Sequence, residues 1–314
     1  MDTIFDLIII GGGPAGTSGA VYAARKRLKT AHVTYEFGGQ STVSSDIQNW
    51  IGTPHISGEA LKESFKKHVL EYKSDVLTVF EGSKVTNISG TNGDFTVKTD
   101  DAKTIKGKTV LITSGSERRK LDVPGADVFE HKGLTYCATC DGPLFSDQDV
   151  VVVGGGNAAF ETVLQLAAYC KSVTLLNRSE TFRADEITVE SVTQNPKVRI
   201  VKNIEMLEVT GTVFVNGIKI KHKESGEEET IPCAGIFVEI GQIPNTSYVG
   251  DLVEKDAAGK ILIDPWTNKT KTPGVWAAGD VTNILYHQNN IASGEAVKAL
   301  EDIYITFHKE QKNS

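Results

Sequence analysis

The same three-part signal occurs twice in this chain, and no other feature constrains the fold as tightly. An apolar run at residues 5–10 enters Gly11-Gly12-Gly13-Pro14-Ala15-Gly16, and a second at residues 150–153 enters Gly154-Gly155-Gly156-Asn157-Ala158-Ala159. Such runs, bounded by glycine instead of alternating with polar residues, read as buried strands of a parallel sheet. Small or apolar residues follow at helical spacing, Gly16, Ala20, Ala23 and Ala24 in the first copy and Ala159, Val163, Leu166 and Cys170 in the second. Each copy therefore reads as strand, tight turn and helix.

That context gives the glycines a physical role. The first makes the turn, the second lets backbone approach a pyrophosphate, and the third packs helix against strand. The helix N-terminus then points at the anion. The candidate dinucleotide-binding residues are Gly11, Gly13, Pro14, Ala15 and Gly16 in the first copy and Gly154, Gly156, Asn157, Ala158 and Ala159 in the second. Glu36, at the end of the next strand, is placed to accept from ribose hydroxyls. The corresponding position in the second copy is Asn177, followed by Arg178 and Arg183. A 2′-phosphate prefers arginine and repels carboxylate, so this pattern favours NADPH over NADH.

Short alternating strands with turn signals follow each copy. Residues 94–99 lie after an Asn92-Gly93 turn, and residues 212–221 are expected to break at Asn216-Gly217. Each copy closes with an apolar strand meeting glycine, at residues 110–115 and 236–241. One more such strand, residues 273–280, and a long helix over about 290–308 complete the chain. A lone strand and helix need a sheet to join, and the first copy is the natural host. The expected fold class is α/β, with two Rossmann-like three-layer (ββα) nucleotide-binding domains, the second inserted in the first.

Between the copies lies Cys137-Ala138-Thr139-Cys140-Asp141. Two residues between cysteines let one helical turn bring the sulfurs together, and a helix N-terminus or nearby cation favours the thiolate. Asp141 is a candidate proton carrier. The rival reading is half a zinc site, which needs two more ligands. Cys170 and Cys233 lack a partner at ligand spacing and read as small core residues, so no metal is expected. Among the histidines, His287 stands out, beside Gln288 and just past Gly279-Asp280.

Composition excludes other classes. The length of 314 residues suggests about two domains. A net charge of -7, with no basic run interleaved with aromatics, removes the footprint of nucleic-acid binding. No apolar stretch approaches the ~18 residues needed to span a bilayer. The N-terminus lacks the basic region of a secretory signal, and a cytoplasmic location is expected.

With both fingerprints flanking a C-x-x-C, the chain resembles the low-molecular-weight thioredoxin reductases. It is also similar to the flavoprotein subunit of alkyl hydroperoxide reductase. The landmarks are residues 11–16, Gly38-Gly39-Gln40, Asn49, residues 137–142, residues 154–159, Gly279-Asp280 and residues 286–294. The resemblance implies an FAD domain from residues 1–116 and 247–314 and an inserted NADPH domain at residues 117–246 that carries the dithiol. It adds Gly39, Gln40, Asn49, Val85, Gly115, Gly279, Asp280, His287, Gln288, Asn289 and Ile291 to the FAD site. It also implies that Cys140 faces the flavin, Cys137 attacks the partner's disulfide and Asp141 handles the proton. The expected partner is a thioredoxin or glutaredoxin-like protein, and the expected assembly a homodimer. Three departures stand out. Asn177-Arg178-Ser179 replaces His-Arg-Arg, His287 stands at a usually basic position, and Asn289 and Asn290 replace small or apolar residues. They keep two alternatives open, a ferredoxin-type donor and a dithiol oxidase using oxygen. A non-enzymatic flavin scaffold or redox sensor would have no use for the intact dithiol and second nucleotide domain.

Overall fold

The computed structural model describes residues 3–44 and 46–313, so the first two residues of the N-terminal segment lie outside the described residues. The chain forms two compact units, Met1–Glu117 with Ile243–Ser314, and Arg118–Gln242. The first stretch contributes β1 (Ile4–Ile10), α1 (Pro14–Arg25), β2 (Thr30–Thr34), α2 (Gly58–Glu71), β3 (Leu77–Glu81), β4 (Val85–Thr91), β5 (Asp94–Thr99) and β6 (Thr104–Ile112). Strand β7 (Ser116–Arg118) lies where the chain leaves this unit. The inserted unit holds β8 (Leu134–Thr135), α3 (Ala138–Asp141), β9 (Asp149–Val153), α4 (Asn157–Ala167), β10 (Ser172–Leu176), α5 (Glu186–Thr193) and β11 (Val198–Val201). It continues through β12 (Ile204–Gly211), β13 (Val215–His222), β14 (Glu228–Pro232) and β15 (Gly235–Val238). After β16 (Gln242–Pro244), the chain returns to the first unit with β17 (Val275–Ala277) and α6 (Asn289–Asn313).

In the first unit the sheet runs β3-β2-β1-β6-β5-β4, and β17 pairs with the far end of β6. β1, β2, β3, β6 and β17 are parallel, and β4-β5 fold back antiparallel on β6. Alternation along β1 explains the layers. Leu7 and Ile9 join Leu111, the alanines of α1, and Ala296, Ala299 and Leu300 of α6 in one core. Ile8 and Ile10 face the other way, against Phe95, Val97 and Val110. Fully burying each such side chain stabilises the fold by about 1.5–3 kcal/mol, which is why the strands tolerate no alternation with charge. The chain's last strand and helix thus complete the first unit's sheet and its helical face.

The inserted unit repeats the plan with a parallel sheet, β11-β10-β9-β15-β8, and a separate antiparallel sheet, β12-β13-β14. One expectation fails here. Asn216-Gly217 forms no turn but lies inside β13, where Gly217 pairs with Thr210 on one side and Pro232 on the other. The glycine is needed for close approach: a Cβ at Gly217 would lie 3.0 Å from the Ile231 carbonyl oxygen. The chain reverses instead at residues 212–214, where Thr212 N donates to the Phe214 carbonyl.

The division between units falls after Glu117 and after Gln242, where residues 116 and 246 were expected to close the two segments. Asn245 shows why the return comes early. Its backbone N–H donates to Gly115 O at 3.0 Å, its side-chain amide to Ser114 O at 3.0 Å, and its carbonyl accepts from Ser114 Oγ at 2.7 Å.

Candidate functional site: two glycine turns and a disulfide

The first glycine turn joins β1 to α1. Gly11 has φ +118°, and a Cβ there would lie 2.3 Å from Thr113 O. At Gly16 a Cβ would stand 1.8 Å from Gly11 O, so this glycine lets the helix meet the strand. Gly13 is different: the nearest atom to a Cβ there is Gly39 Cα at 3.9 Å. The middle glycine therefore leaves space where a ligand backbone can lie. Gly13 caps α1 with Pro14 at its start and no side-chain hydrogen bond, so no side chain competes with an anion for the first-turn N–H groups. Beneath the turn, His32 is fully buried and its Nε2–H donates to Gly11 O at 2.8 Å. Burial lowers its pKa to about 4.

Of the other predicted residues of this unit, Gly39 and Gly279 reach the turn. Gly279, at φ +79°, packs against Ala15 and Ala292. Its N–H donates to Glu295 Oε2 at 2.9 Å, and burial raises the pKa of that acid. Asn49 Nδ2 donates to Gln288 Oε1 at 3.0 Å, Asn290 Nδ2 to Asn49 O at 2.7 Å, and Ser41 Oγ to Asn289 Oδ1 at 2.9 Å. The two asparagines that depart from the family pattern thus tie the 41–49 segment to the start of α6, with Ile291 in its first turn. His287 Nε2 lies 2.9 Å from Lys260 Nζ and so accepts its hydrogen bond, which leaves the ring proton on Nδ1. Nδ1 lies 3.3 Å from Asp280 Oδ1 without an aligned hydrogen bond. Gly115, at φ +65°, has open space where a Cβ would stand. Glu36 and Gln40 are exposed, whereas Val85 belongs to the buried core at the start of β4. Ser83 N donates to Thr34 O, bringing that start beside the strand end that carries Glu36.

The second turn, in the inserted unit, repeats this logic. Gly154 has φ +156°, and its Cβ would meet Glu239 O at 2.4 Å and Ala159 Cβ at 2.8 Å. Around Gly156 a Cβ would find nothing within 4 Å, and Gly156 caps α4 without a side-chain bond. Asn157 Nδ2 donates to Asp185 Oδ2 at 2.9 Å, fixing the start of α4. Asn177 is buried, and its amide donates to Ser179 O at 2.7 Å and Thr181 O at 3.0 Å. That side chain braces the 178–182 loop, and Arg178 and Arg183 are exposed. Arg183 N donates to Gly155 O at 2.7 Å, which holds this arginine next to the turn.

Cys137 and Cys140 form a disulfide with Cα atoms 5.3 Å apart. Cys137 is the N-cap of α3, and its Sγ accepts the Cys140 N–H at 3.2 Å. Thr135, buried at the end of β8, donates to Asp141 Oδ2 and accepts from Cys137 N at 3.3 Å. It therefore links the acid to the first cysteine. Cys170 and Cys233 are free and buried, and burial raises both thiols, Cys233 to about 12. Neither is reactive near neutral pH.

Sequence reasoning missed Thr135, Ser41, Lys260 and Glu239. Only Glu239 carried a signal, as an acid inside the apolar run before Gly241. The others are recognisable only once distant segments meet.

The model of the pyridine nucleotide-disulphide oxidoreductase family matches residues 5–297. A protein named NADH dehydrogenase from Bacillus subtilis (strain 168) is 38% identical over 295 residues, covering 94% of this chain and 57% of that protein. A subunit of the alkyl hydroperoxide reductase of Escherichia coli (strain K12) is 38% identical over 296 residues, with the same 94% and 57% coverage. The chain thus spans a little over half the length of these curated relatives. Among solved structures, thioredoxin reductase from Streptococcus pyogenes MGAS5005 superposes with a TM-score of 0.89 at 32% identity, covering 99% of this chain and 100% of that one. Thioredoxin reductase from Giardia duodenalis gives a TM-score of 0.90 at 29% identity, covering 97% and 100%. Among the described residues, no helix is long and apolar enough to cross a membrane.

Proposed function

We propose that this chain, which belongs to the pyridine nucleotide-disulphide oxidoreductase family, is an FAD-containing, NADPH-dependent disulfide reductase that delivers electrons to a thioredoxin-like protein. One observation carries the reading: a single unit holds both the Cys137–Cys140 disulfide and a glycine turn with an open middle position. The structural likeness to thioredoxin reductases, over their full length, supports it.

The first unit suits FAD. Gly13 and Gly115 leave open space, and α1 presents an uncapped N-terminus to a pyrophosphate. Glu36 is placed for ribose hydroxyls, while Gly39, Gln40, Asn49, Gly279, Asp280, His287, Gln288, Asn289 and Ile291 form the remaining cradle in this reading. When bound, a flavin accepts a hydride and passes on an electron pair.

The inserted unit supplies two further functions. Gly154, Gly156 and the α4 N-terminus suit a second pyrophosphate, with Arg178 and Arg183 for a 2′-phosphate. In the reduced dithiol, the Cys140 N–H favours negative charge on Cys137 Sγ, making Cys137 the nucleophile. Its thiolate attacks the partner's disulfide and forms a mixed disulfide. Cys140 then attacks Cys137 Sγ, restoring the internal disulfide and releasing the partner as a dithiol. Asp141, held by Thr135, carries the proton that Cys140 gives up. Overall, NADPH, a proton and one disulfide yield NADP+ and two thiols. A homodimer is the assembly we propose.

The test is a coupled assay with NADPH, a thioredoxin from the same cell and a chromogenic disulfide. NADPH-dependent turnover that vanishes in Cys137→Ser is expected. Absence of turnover with every thioredoxin and glutaredoxin-like protein of that cell contradicts the proposal.

A further inference from the structure

In the inserted unit, the order β11-β10-β9-β15-β8 places β9 at the centre of the nucleotide site. Helix α4 leaves the end of β9 and leads to β10, so the adenosine half of a dinucleotide lies toward Asn177 and Arg178, just beyond β10. In such sheets the ligand sits at the carboxyl ends of the strands where the order reverses, and its other half extends over the neighbour on the opposite side. That neighbour is β15, and the first residue past its end is Glu239. Glu239 N donates to Val153 O at 2.8 Å, and Glu239 O closes one wall of the Gly154 turn.

The Glu239 carboxylate is only loosely held. Its side chain is 10% exposed, with Oε2 3.4 Å from Arg118 Nη1 and Oε1 3.4 Å from Thr162 Oγ1 of α4. Both contacts are longer than the ~2.7–2.9 Å of well-formed charge-assisted bonds, so lone pairs and charge are left over. Glu161, the preceding residue of α4, adds a like charge. Burial pushes the Glu239 pKa up to about 7, with Arg118 and Thr162 opposing and Glu161 assisting.

We propose that Glu239 faces the nicotinamide end of the dinucleotide and, when ionised, favours the oxidised, positively charged ring over the reduced, neutral one. The inference rests on the pyridine-nucleotide reading of this unit. The two redox forms of the nucleotide differ by the charge on that ring, and a carboxylate in a partly dry site discriminates them by direct attraction. Protonation of Glu239 removes the preference and releases the oxidised product.

Equilibrium binding to the flavin-loaded full chain tests this, comparing NADP+ with 1,4,5,6-tetrahydro-NADPH, whose neutral ring donates no hydride. Taking the ratio of the two dissociation constants cancels titration of the 2′-phosphate. In the natural protein, preference for NADP+ should rise on the order of tenfold between pH 6 and pH 8.5. Its midpoint should lie near 7, and Glu239→Gln should abolish the rise. Arg118→Met, which removes the opposing cation, should move the midpoint upward. A ratio that ignores pH in the natural protein, or still follows it in Glu239→Gln, overturns the inference alone. Failure of either nucleotide to bind overturns the site itself and the inference with it.

Discussion

The N–H of Cys140 points at Cys137 Sγ across 3.2 Å, so the two cysteines are not equivalent. In the reduced pair this N–H would support negative charge on the first sulfur. Cys140→Ser therefore leaves a competent nucleophile with no resolving thiol, and it should accumulate a mixed disulfide with thioredoxin. Cys137→Ser should accumulate none. Non-reducing electrophoresis after mixing with oxidised thioredoxin reads the outcome; equal trapping by the two variants would reverse the assignment of roles.

The glycines of the first turn should separate binding from folding. Gly13→Ala adds a methyl whose nearest neighbour is 3.9 Å away, so the chain should fold but lose most of its affinity for FAD. Gly16→Ala drives a methyl to 1.8 Å from Gly11 O and should destabilise the first unit by about 1–3 kcal/mol or more, on the order seen for overpacking. Flavin content and thermal unfolding of the two variants distinguish the effects.

Arg178 and Arg183 should carry nucleotide choice. Replacing either by Ala should raise KM for NADPH about tenfold, equivalent to ~1.4 kcal/mol, while leaving KM for NADH nearly unchanged. Equal effects on both nucleotides would place the arginines away from the 2′-phosphate.

His32 makes the first unit acid-sensitive. Its folded pKa of about 4 lies below the usual 6.5, so between those values the unfolded chain binds a proton that the folded chain does not. This contribution to stability is complete above about pH 6.5 and is lost as pH falls toward 4. It amounts to about 3 kcal/mol by linkage. His32→Gln keeps a donor for Gly11 O but does not titrate. Its urea-unfolding free energy should fall less between pH 7.5 and pH 4.5 than that of the natural protein, and an unchanged difference refutes this source of acid sensitivity.

Much of this was legible in the sequence because the same physics wrote the motif and built the turn. Gly11, Gly16 and Gly154 are demanded by close backbone approach, and the apolar strands before them by burial on both faces. Nesting was readable because β17 and α6 have no sheet of their own. Asn216-Gly217 misled because an Asn-Gly pair signals a turn locally, whereas tertiary contact with Ile231 uses the glycine inside a strand. The site's polar supports were invisible for a different reason. Ser41 and Asn289 are bonded although far apart in the chain, and neither residue type announces its partner. Thr135 reads as an ordinary strand residue until the turn after β8 brings Asp141 back to it.

In the proposed reaction one chain stores electrons at both a flavin and the Cys137–Cys140 pair. Anaerobic reductive titration of the purified, FAD-loaded protein, followed at the flavin absorbance, counts them. Each centre is a two-electron couple, so the natural protein should consume twice the reductant of a Cys137→Ser, Cys140→Ser double variant before reduction is complete. Equal consumption by the two proteins would show that the disulfide takes no electrons from the flavin and would rule out the proposed electron path.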